Sequence, residues 1–213
     1  MSDLKGKAAL VTGGSSGIGL ATVELFARRG AKVALNHLPD DKRGADAAAK
    51  LRAEGLDVIA APGDVSKAGA AERMVGDAIQ QLGRLDYLAN NAGTPNTKEP
   101  IPPHDMDKLT EEFWMAVLNT NLIGPFRCTH AAANALRTSR GAVCNTASVA
   151  GLNMAGSSMA YGASKAGLIS LTKNFARALA PHKRVHARLQ RAMGARQCGG
   201  AGLCRHRMDE PVA

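Results

Sequence analysis

The sequence predicts an α/β fold: a three-layer, doubly wound parallel sheet with helices on both faces. Three observations predict it. Short, almost wholly apolar runs recur along the chain, as strands buried on both faces require. Segments with helical spacing alternate with them, the pattern of βαβ units. The residues with chemical character follow the ends of the apolar runs, where ligands sit in sheets of this kind.

Residues 7–12 (KAALVT) form the first strand. Residues 13–19 are a glycine-rich turn that opens a helix to about Arg29, with apolar Ile18, Leu20, Val23, Leu25 and Phe26 and with Gly30 as its cap. Residues 32–38 are the second strand, and a polar, alanine-rich helix follows over about residues 40–53. Residues 56–61 are the third strand, ending at Pro62-Gly63-Asp64-Val65. Ser66 is the expected N-cap of a helix reaching about Gln81, which Gly83 ends. Residues 85–89 are the fourth strand and lead into Asn90-Asn91-Ala92-Gly93. A loop with Pro95, Pro100, Pro102 and Pro103 precedes one long helical stretch over about residues 110–137. Residues 141–146 are the fifth strand, and a helix over residues 159–180 is stopped by Pro181. The crossovers between parallel strands are expected to be right-handed.

One core accounts for these elements. The chain has 213 residues, of which 45% are hydrophobic and only 3% aromatic, so the core must be built from Ala, Val, Leu and Ile. No linker divides it; residues 1–187 read as one domain and residues 188–213 as a basic, irregular tail. The first residues lack a charged-then-apolar-then-small pattern, and no apolar run approaches the ~20 residues that span a bilayer. A soluble, cytoplasmic protein without a membrane partner is therefore expected. Cys128, Cys144, Cys198 and Cys204 lack the paired spacing of a zinc site or a disulfide framework, so reduced thiols and no metal are expected. The formal charge is +9, but the tail from residue 182 carries seven basic and two acidic residues and supplies +5 of it. No aromatic side chains interleave those basic residues, so nucleic acid is not an expected partner.

The motifs give these strand ends a chemistry. In Thr12-Gly13-Gly14-Ser15-Ser16-Gly17-Ile18-Gly19, Gly13 permits the tight turn, Gly17 lets the backbone approach a pyrophosphate, and Gly19 lets the helix pack on the strand. The helix N-terminus offers unpaired amides to the phosphates, and Ser15, Ser16 and Ile18 lie on the same turn. This is a Rossmann-type dinucleotide site. Its adenosine preference is set just after the second strand, where residues 35–38 carry no carboxylate. Asn36 and His37 there, with Lys42 and Arg43 nearby, favour NADP(H) over NAD(H), although His37 reads equally as a surface histidine. Asn91, Ala92 and Gly93 either form a plain turn or line the adenosine side of a cleft. Tyr161 and Lys165 stand four apart on one helix face. A free tyrosine ionises near ~10, and a nearby ammonium lowers that value toward neutrality. Ser148 ends the fifth strand on the same edge of the sheet as the glycine turn.

Together these motifs resemble the short-chain dehydrogenase/reductase family. T-G-x-x-x-G-I-G at residues 12–19, N-N-A-G at residues 90–93 and Y-x-x-x-K at residues 161–165 occur in that family's order and spacing. Asp64-Val65 resembles its adenine-binding pair, and Thr120-Asn121-Leu122 with Gly124 resembles its N-L-x-G segment. Ser148 lies thirteen residues before Tyr161, as in the family. The resemblance implies an NAD(P)-dependent oxidoreductase acting on a small alcohol or ketone. Tyr161 would be the acid–base group, and Lys165 would lower its pKa and bind the nicotinamide ribose. Ser148 would hold the substrate oxygen, and Asn121 would position a water for proton relay. It also implies a homodimer or homotetramer built on the helices around residues 110–137 and 159–180.

The resemblance fades after residue 187. Arg188-Leu189-Gln190-Arg191 stands where the family has V-x-P-G, and the following text has the look of out-of-frame translation. The last strand and the helix that covers the substrate are then expected to be missing. The alternative expectation is a catalytically impaired member that serves only as a dinucleotide-binding or dimerising module.

Overall fold

The computed structural model describes residues 3–153, 156–179 and 186–190. Among them, one sheet holds six strands: β1 Ala8–Val11, β2 Lys32–His37, β3 Val58–Pro62, β4 Tyr87–Asn90, β5 Ala142–Thr146 and β6 His186–Gln190. Their order is β3-β2-β1-β4-β5-β6, and every neighbouring pair is parallel. The helices are α1 Gly17–Arg28, α2 Lys42–Ala53, α3 Ala70–Leu82, α4 Glu111–Leu118, α5 Gly124–Ser139 and α6 Met159–Leu179. The predicted doubly wound sheet is therefore present.

The alternation of strand side chains builds the three layers. Ala8 and Leu10 of β1, Ala34 of β2, Leu88 of β4 and Val143 of β5 pack against α3 and α5 through Met74, Val75, Ala78, Ala132 and Leu136. Ala9 and Val11, the intervening residues of β1, face the other way with Val33, Leu35 and Val58. They meet Val23 and Ala27 of α1 and Ala48 and Leu51 of α2. Small side chains at the helix contacts let the helices lie close to the sheet, as the scarcity of aromatics requires. No helix among the described residues is long and apolar enough to cross a membrane.

Three elements differ from the sequence expectation. Ser66 does not cap α3. The Asp64 carboxylate accepts both the Ser66 N–H at 2.9 Å and its hydroxyl at 2.6 Å, which folds Ser66 into a turn at the end of β3. The helix begins only at Ala70, after Gly69, whose N–H is met by the Glu72 carboxylate at 2.6 Å. The stretch expected as one helix over residues 110–137 is also interrupted, by a π-helical turn at Asn119–Ile123. Pro125 accounts for it: it has no N–H to close an α-turn onto residue 121, and its ring crowds that carbonyl, so the chain widens by one residue. The Arg127 guanidinium pins this turn in place, donating to Ser66 O at 2.7 Å and to Asn119 Oδ1 at 3.5 Å. Finally, β6 runs to Gln190, three residues past the expected boundary at 187, and pairs with β5 from Ala142↔His186 to Thr146↔Gln190. Backbone pairing does not require the V-x-P-G side chains. The expected loss of a further strand and a covering helix concerns residues outside those described.

At the opposite end of the strands, Asp86 ties β1 to β4. Its buried carboxylate accepts from Ala8 N at 3.0 Å, from both Arg84 nitrogens at 2.8 Å and from Lys7 Nζ at 3.2 Å. Burial alone would raise its pKa, but the bonds from Arg84, Ala8 and Lys7 prevail and hold it below the usual carboxylate range. Asp86→Ala should lower stability at pH 7 by about 2–4 kcal/mol in urea unfolding, since two cations and an amide lose their acceptor. A depressed folded pKa contributes stability above the unfolded value and loses it as pH falls through the folded one. Wild type and variant should therefore converge in acid; a constant difference down to pH ~2 would contradict the assignment.

Candidate active site

The sheet order reverses between β1 and β4, and the chains leaving those two strands part there to open a cleft. Thr12, at the end of β1, holds the two sides in register: its Oγ1 accepts the N–H groups of Asn91 and Ala92, each at 3.0 Å. Asn91 Nδ2 returns a bond to Gly13 O at 3.2 Å. Gly13 has φ +62°, and a Cβ there would lie 2.8 Å from Ala92 Cα. A Cβ on Gly19 would strike Gly13 O, so only glycine lets α1 start this close to the turn. Ser16, the N-cap of α1, makes no side-chain bond to the first amides. Those amides and the positive end of the helix dipole form a cradle suited to a pyrophosphate.

The cleft has a volume of about 680 Å³. Ser15, Ser16, Gly17 and Ile18 of the glycine turn line it, as do Asp64, Val65, Asn91, Ala92 and Gly93. Asn36 lines the cleft, but its amide is engaged within the fold. Its Oδ1 accepts from Gly13 N at 3.2 Å, and its Nδ2 donates to Ala61 O at 3.0 Å and Gly63 O at 2.9 Å. Its amide is a buried brace among β1, β2 and β3. His37 is not a surface histidine either: it lines the cleft at 6% exposure. Its Nδ1 lies 2.8 Å from Leu38 O and its Nε2 is buried without a partner among the described residues.

Asp41, four residues beyond β2, brings to this corner the carboxylate that the strand end lacks. It caps α2 by accepting from Arg43 N at 3.2 Å, and it holds the Arg43 side chain at 2.8 Å (Nε to Oδ1) and 3.0 Å (to Oδ2). Arg43 chiefly, with the Ser15 hydroxyl adding, pulls the Asp41 pKa down to about 2. Asp41 is thus ionised throughout the neutral range.

The other end of the cleft gathers Ser148, Tyr161 and Lys165. Ser148 is extended and caps a short 3-10 turn, its Oγ accepting from Ala150 N at 3.2 Å. Lys165, 4% exposed, donates from Nζ to Thr146 O at 2.8 Å, and Nζ lies 5.7 Å from the centroid of the Tyr161 ring. Burial pushes the Lys165 pKa down to about 8. Asn121 and Gly19 stand behind the wall rather than on it. The π-helical turn aims Asn121 inward, where its Oδ1 accepts from Thr94 N at 2.8 Å. Its Nδ2 donates to Thr94 O at 2.9 Å and Ser164 Oγ at 3.1 Å. Both N–H groups are committed to protein, so they are not the donors of a water relay. Ser164 in turn donates to Tyr161 O at 2.7 Å, which links Asn121 to the helix carrying Tyr161 and Lys165.

Thr12, the first residue of the glycine motif, and Asp41, Thr94, Thr146 and Ser164 complete the site; of the last four only Ser164 has a local signal, its place three residues after Tyr161 on the same helix. Among the described residues no cluster of His, Cys, Asp and Glu is arranged to hold a metal.

Residues 7–189 match the family described as short chain dehydrogenase. A 3-oxoacyl-(acyl-carrier-protein) reductase of Staphylococcus aureus is 36% identical over 175 residues, which is 82% of this chain and 69% of the reductase. One from Synechocystis is 34% identical over 181 residues, 84% of this chain and 71% of that protein. A solved structure from Burkholderia xenovorans, described as a short-chain dehydrogenase/reductase, aligns with a TM-score of 0.77 at 36% identity over 85% of this chain and 75% of that one.

The lowered Lys165 pKa has a stability consequence. The unfolded chain binds this proton up to 10.5 and the folded chain only to about 8, so the charged lysine opposes folding below pH 8 and that penalty fades as pH rises to 10.5. Lys165→Met should therefore gain on wild type at pH 7 relative to pH 10 by about 2–3 kcal/mol in paired urea titrations. A difference that does not change with pH would contradict the burial of this ammonium.

Proposed function

The chain belongs to the short-chain dehydrogenase family, and from that premise we propose that it transfers a hydride between a nicotinamide dinucleotide and an alcohol or ketone. The observation that carries this reading is one cleft with the glycine turn at one end and Ser148, Tyr161 and Lys165 at the other. The unbonded start of α1 and the close approach of Gly13 to Ala92 fit a pyrophosphate. Asp64, Val65, Asn91, Ala92 and Gly93 would flank the adenosine, with His37 at its far corner. Arg43, which a 2′-phosphate would draw away from the Asp41 carboxylate at the same corner, supports NADP(H) ahead of NAD(H).

When bound, the nicotinamide supplies the hydride in reduction and accepts it in oxidation. The Tyr161 hydroxyl gives its proton to the substrate oxygen in reduction and, as phenolate, takes it back in oxidation. The Lys165 ammonium, 5.7 Å from the Tyr161 ring centroid, stabilises that negative charge. Thr146 O fixes the ammonium, and Lys165 can turn its remaining N–H groups toward a ribose hydroxyl. Ser148 orients the substrate oxygen toward Tyr161. Asn121 acts at one remove, fixing the Thr94 backbone on one side and Ser164 on the other.

The substrate is a small carbonyl or alcohol compound. The two acyl-chain reductases among the relatives support a ketone on an acyl chain as one candidate. Exposed Val149, Leu152 and Met159, neighbours in sequence of Ser148 and Tyr161, support an apolar substituent. We further propose a homodimer or homotetramer in the cytoplasm, built on α4, α5 and α6. Phe126, 44% exposed, stacks on His130 and Phe175 at the surface of α5 and α6 and would be covered in such an assembly. Arg188-Leu189-Gln190-Arg191 in place of V-x-P-G favours a second reading, a chain that binds dinucleotide and dimerises without turnover.

Tyr161→Phe separates the two readings. Carbonyl reduction by NADPH across a ketone panel should fall by about 10²–10⁴-fold, the usual contribution of a positioned acid, with NADPH affinity preserved. A wild-type protein that binds NADPH and reduces nothing on the panel would favour the non-catalytic reading.

A further inference from the structure

One side chain joins the two ends of the cleft. Residues 63–66 lead away from β3, and Asp64 and Val65 among them line the cleft. The half-buried side chain of Arg127, on the first turn of α5, donates to Ser66 O at 2.7 Å and to Val65 O at 3.4 Å. It also reaches Asn119 Oδ1, at the start of the π-helical turn, at 3.5 Å. All three partners are neutral oxygens, so Arg127 acts through the planar fork of its donors rather than as a counter-charge. Packing reinforces the bonds: a Cβ on Gly124 would lie 3.1 Å from Val65 Cγ2 and 3.3 Å from Asn119 O, and its absence lets α5 begin against Val65. The same π-helical turn carries Asn121, which holds the Thr94 backbone and, through Ser164, the carbonyl of Tyr161. Bonds therefore run without a break in packing from residues 63–66 to the helix that carries Tyr161 and Lys165.

This inference rests on the dinucleotide reading and deepens it. We propose that Arg127 is a positioning residue that registers the adenosine end of the cleft against the Tyr161–Lys165 end, so that the adenosine half of the cofactor orders acid–base groups it never touches. On that reading Asp64 and Val65 flank the adenosine, and a ligand seated on them restrains residues 63–66. Arg127 passes the restraint to the π-helical turn, because one rigid guanidinium is bonded to both. Asn121 then passes it to Thr94 and to α6. Most of a dinucleotide lies far from the reacting carbon, and its remote contacts raise the rate only where they improve geometry at that carbon. Two half-sites without a rigid connection would supply affinity and no ordering. A lysine in place of Arg127 would keep the charge, but a single ammonium cannot span the Ser66 carbonyl and the Asn119 amide as the fork does. Nothing local in the sequence marks this role, because Ser66 and Val65 lie 61 and 62 residues from Arg127.

The test is amide hydrogen exchange on wild type, Arg127→Met and the milder Arg127→Lys, with adenosine 2′,5′-bisphosphate as the adenosine half alone. In wild type the bisphosphate should slow exchange at residues 63–66, which it touches, and by about threefold or more at residues 159–168 of α6, which it does not. In both variants its dissociation constant and the slowing at residues 63–66 should stay within about threefold of wild type, while the slowing on α6 is lost. Ketone reduction should follow the same division. The kcat with NADPH should fall by about tenfold at an unchanged KM for NADPH, and the kcat with reduced nicotinamide mononucleotide, which lacks the adenosine half, should not change. Slowing on α6 that survives in both variants, or that is absent from wild type while residues 63–66 respond, overturns the assignment. Equal loss at both ends also overturns it, since that marks a role in the fold alone. A wild-type protein in which neither the bisphosphate nor NADPH slows any exchange overturns the dinucleotide reading, and the inference with it.

Discussion

The site depends on how the Thr12 hydroxyl joins β1 to the segment after β4. A parallel sheet that reverses its winding must separate two chains at the reversal, and their amides lose their strand partners there. Thr12 Oγ1 takes two of those amides, from Asn91 and Ala92, and Asn91 takes Gly13 O. The same bonds set Gly13 against Ala92 and Gly19 against Gly13. The turn, the start of α1 and the Asn91 wall therefore move as one body. A cleft that must present amides to a charged ligand needs this, since groups free to reorganise would find water or each other first.

The end of the cleft with Ser148, Tyr161 and Lys165 is held from behind by buried polar groups. Asn90 Nδ2 donates to Thr129 Oγ1 at 3.1 Å and Asn145 Oδ1 at 2.8 Å, and Asn145 Nδ2 donates to Thr172 Oγ1 at 2.8 Å. This chain crosses β4, β5, α5 and α6, one residue behind Asn91 and Thr146. Those two residues meet through a bond of 3.3 Å, and Thr146 O holds Lys165. Each such bond contributes only about 0.5–1.5 kcal/mol to stability, but a buried amide turned the wrong way costs about 1–3 kcal/mol. The network therefore fixes where α6 sits more than how tightly the chain folds. Asn121 does the same from the other side, through Thr94 and Ser164.

The parts legible in the sequence are those with local causes. Apolar runs gave the first five strands, glycines gave the turn, and the four-residue interval between Tyr161 and Lys165 put both on one helix face. What escaped depends on partners distant in the chain. Asn36 reads as a polar residue at a strand end until Ala61 O and Gly63 O, 25 and 27 residues away, are known to surround its amide. Asp41 falls unremarked at the start of a polar helix, and only folding brings its carboxylate to the cleft beside Ser15. Ser66 reads as a cap and is instead bonded to Asp64. Pro125 was a local signal left unread: within a helix it marks the π-helical turn that points Asn121 inward.

Thr12→Val tests this seam most directly, because it keeps the side chain's shape and removes the oxygen at the reversal point. The measurement is an NADPH fluorescence titration on protein shown by urea unfolding to be cooperatively folded. Two partly buried amides left without their acceptor should free the glycine turn from the Asn91 segment and weaken NADPH by about tenfold or more. An NADPH affinity equal to that of wild type would contradict the claim that this seam builds the site.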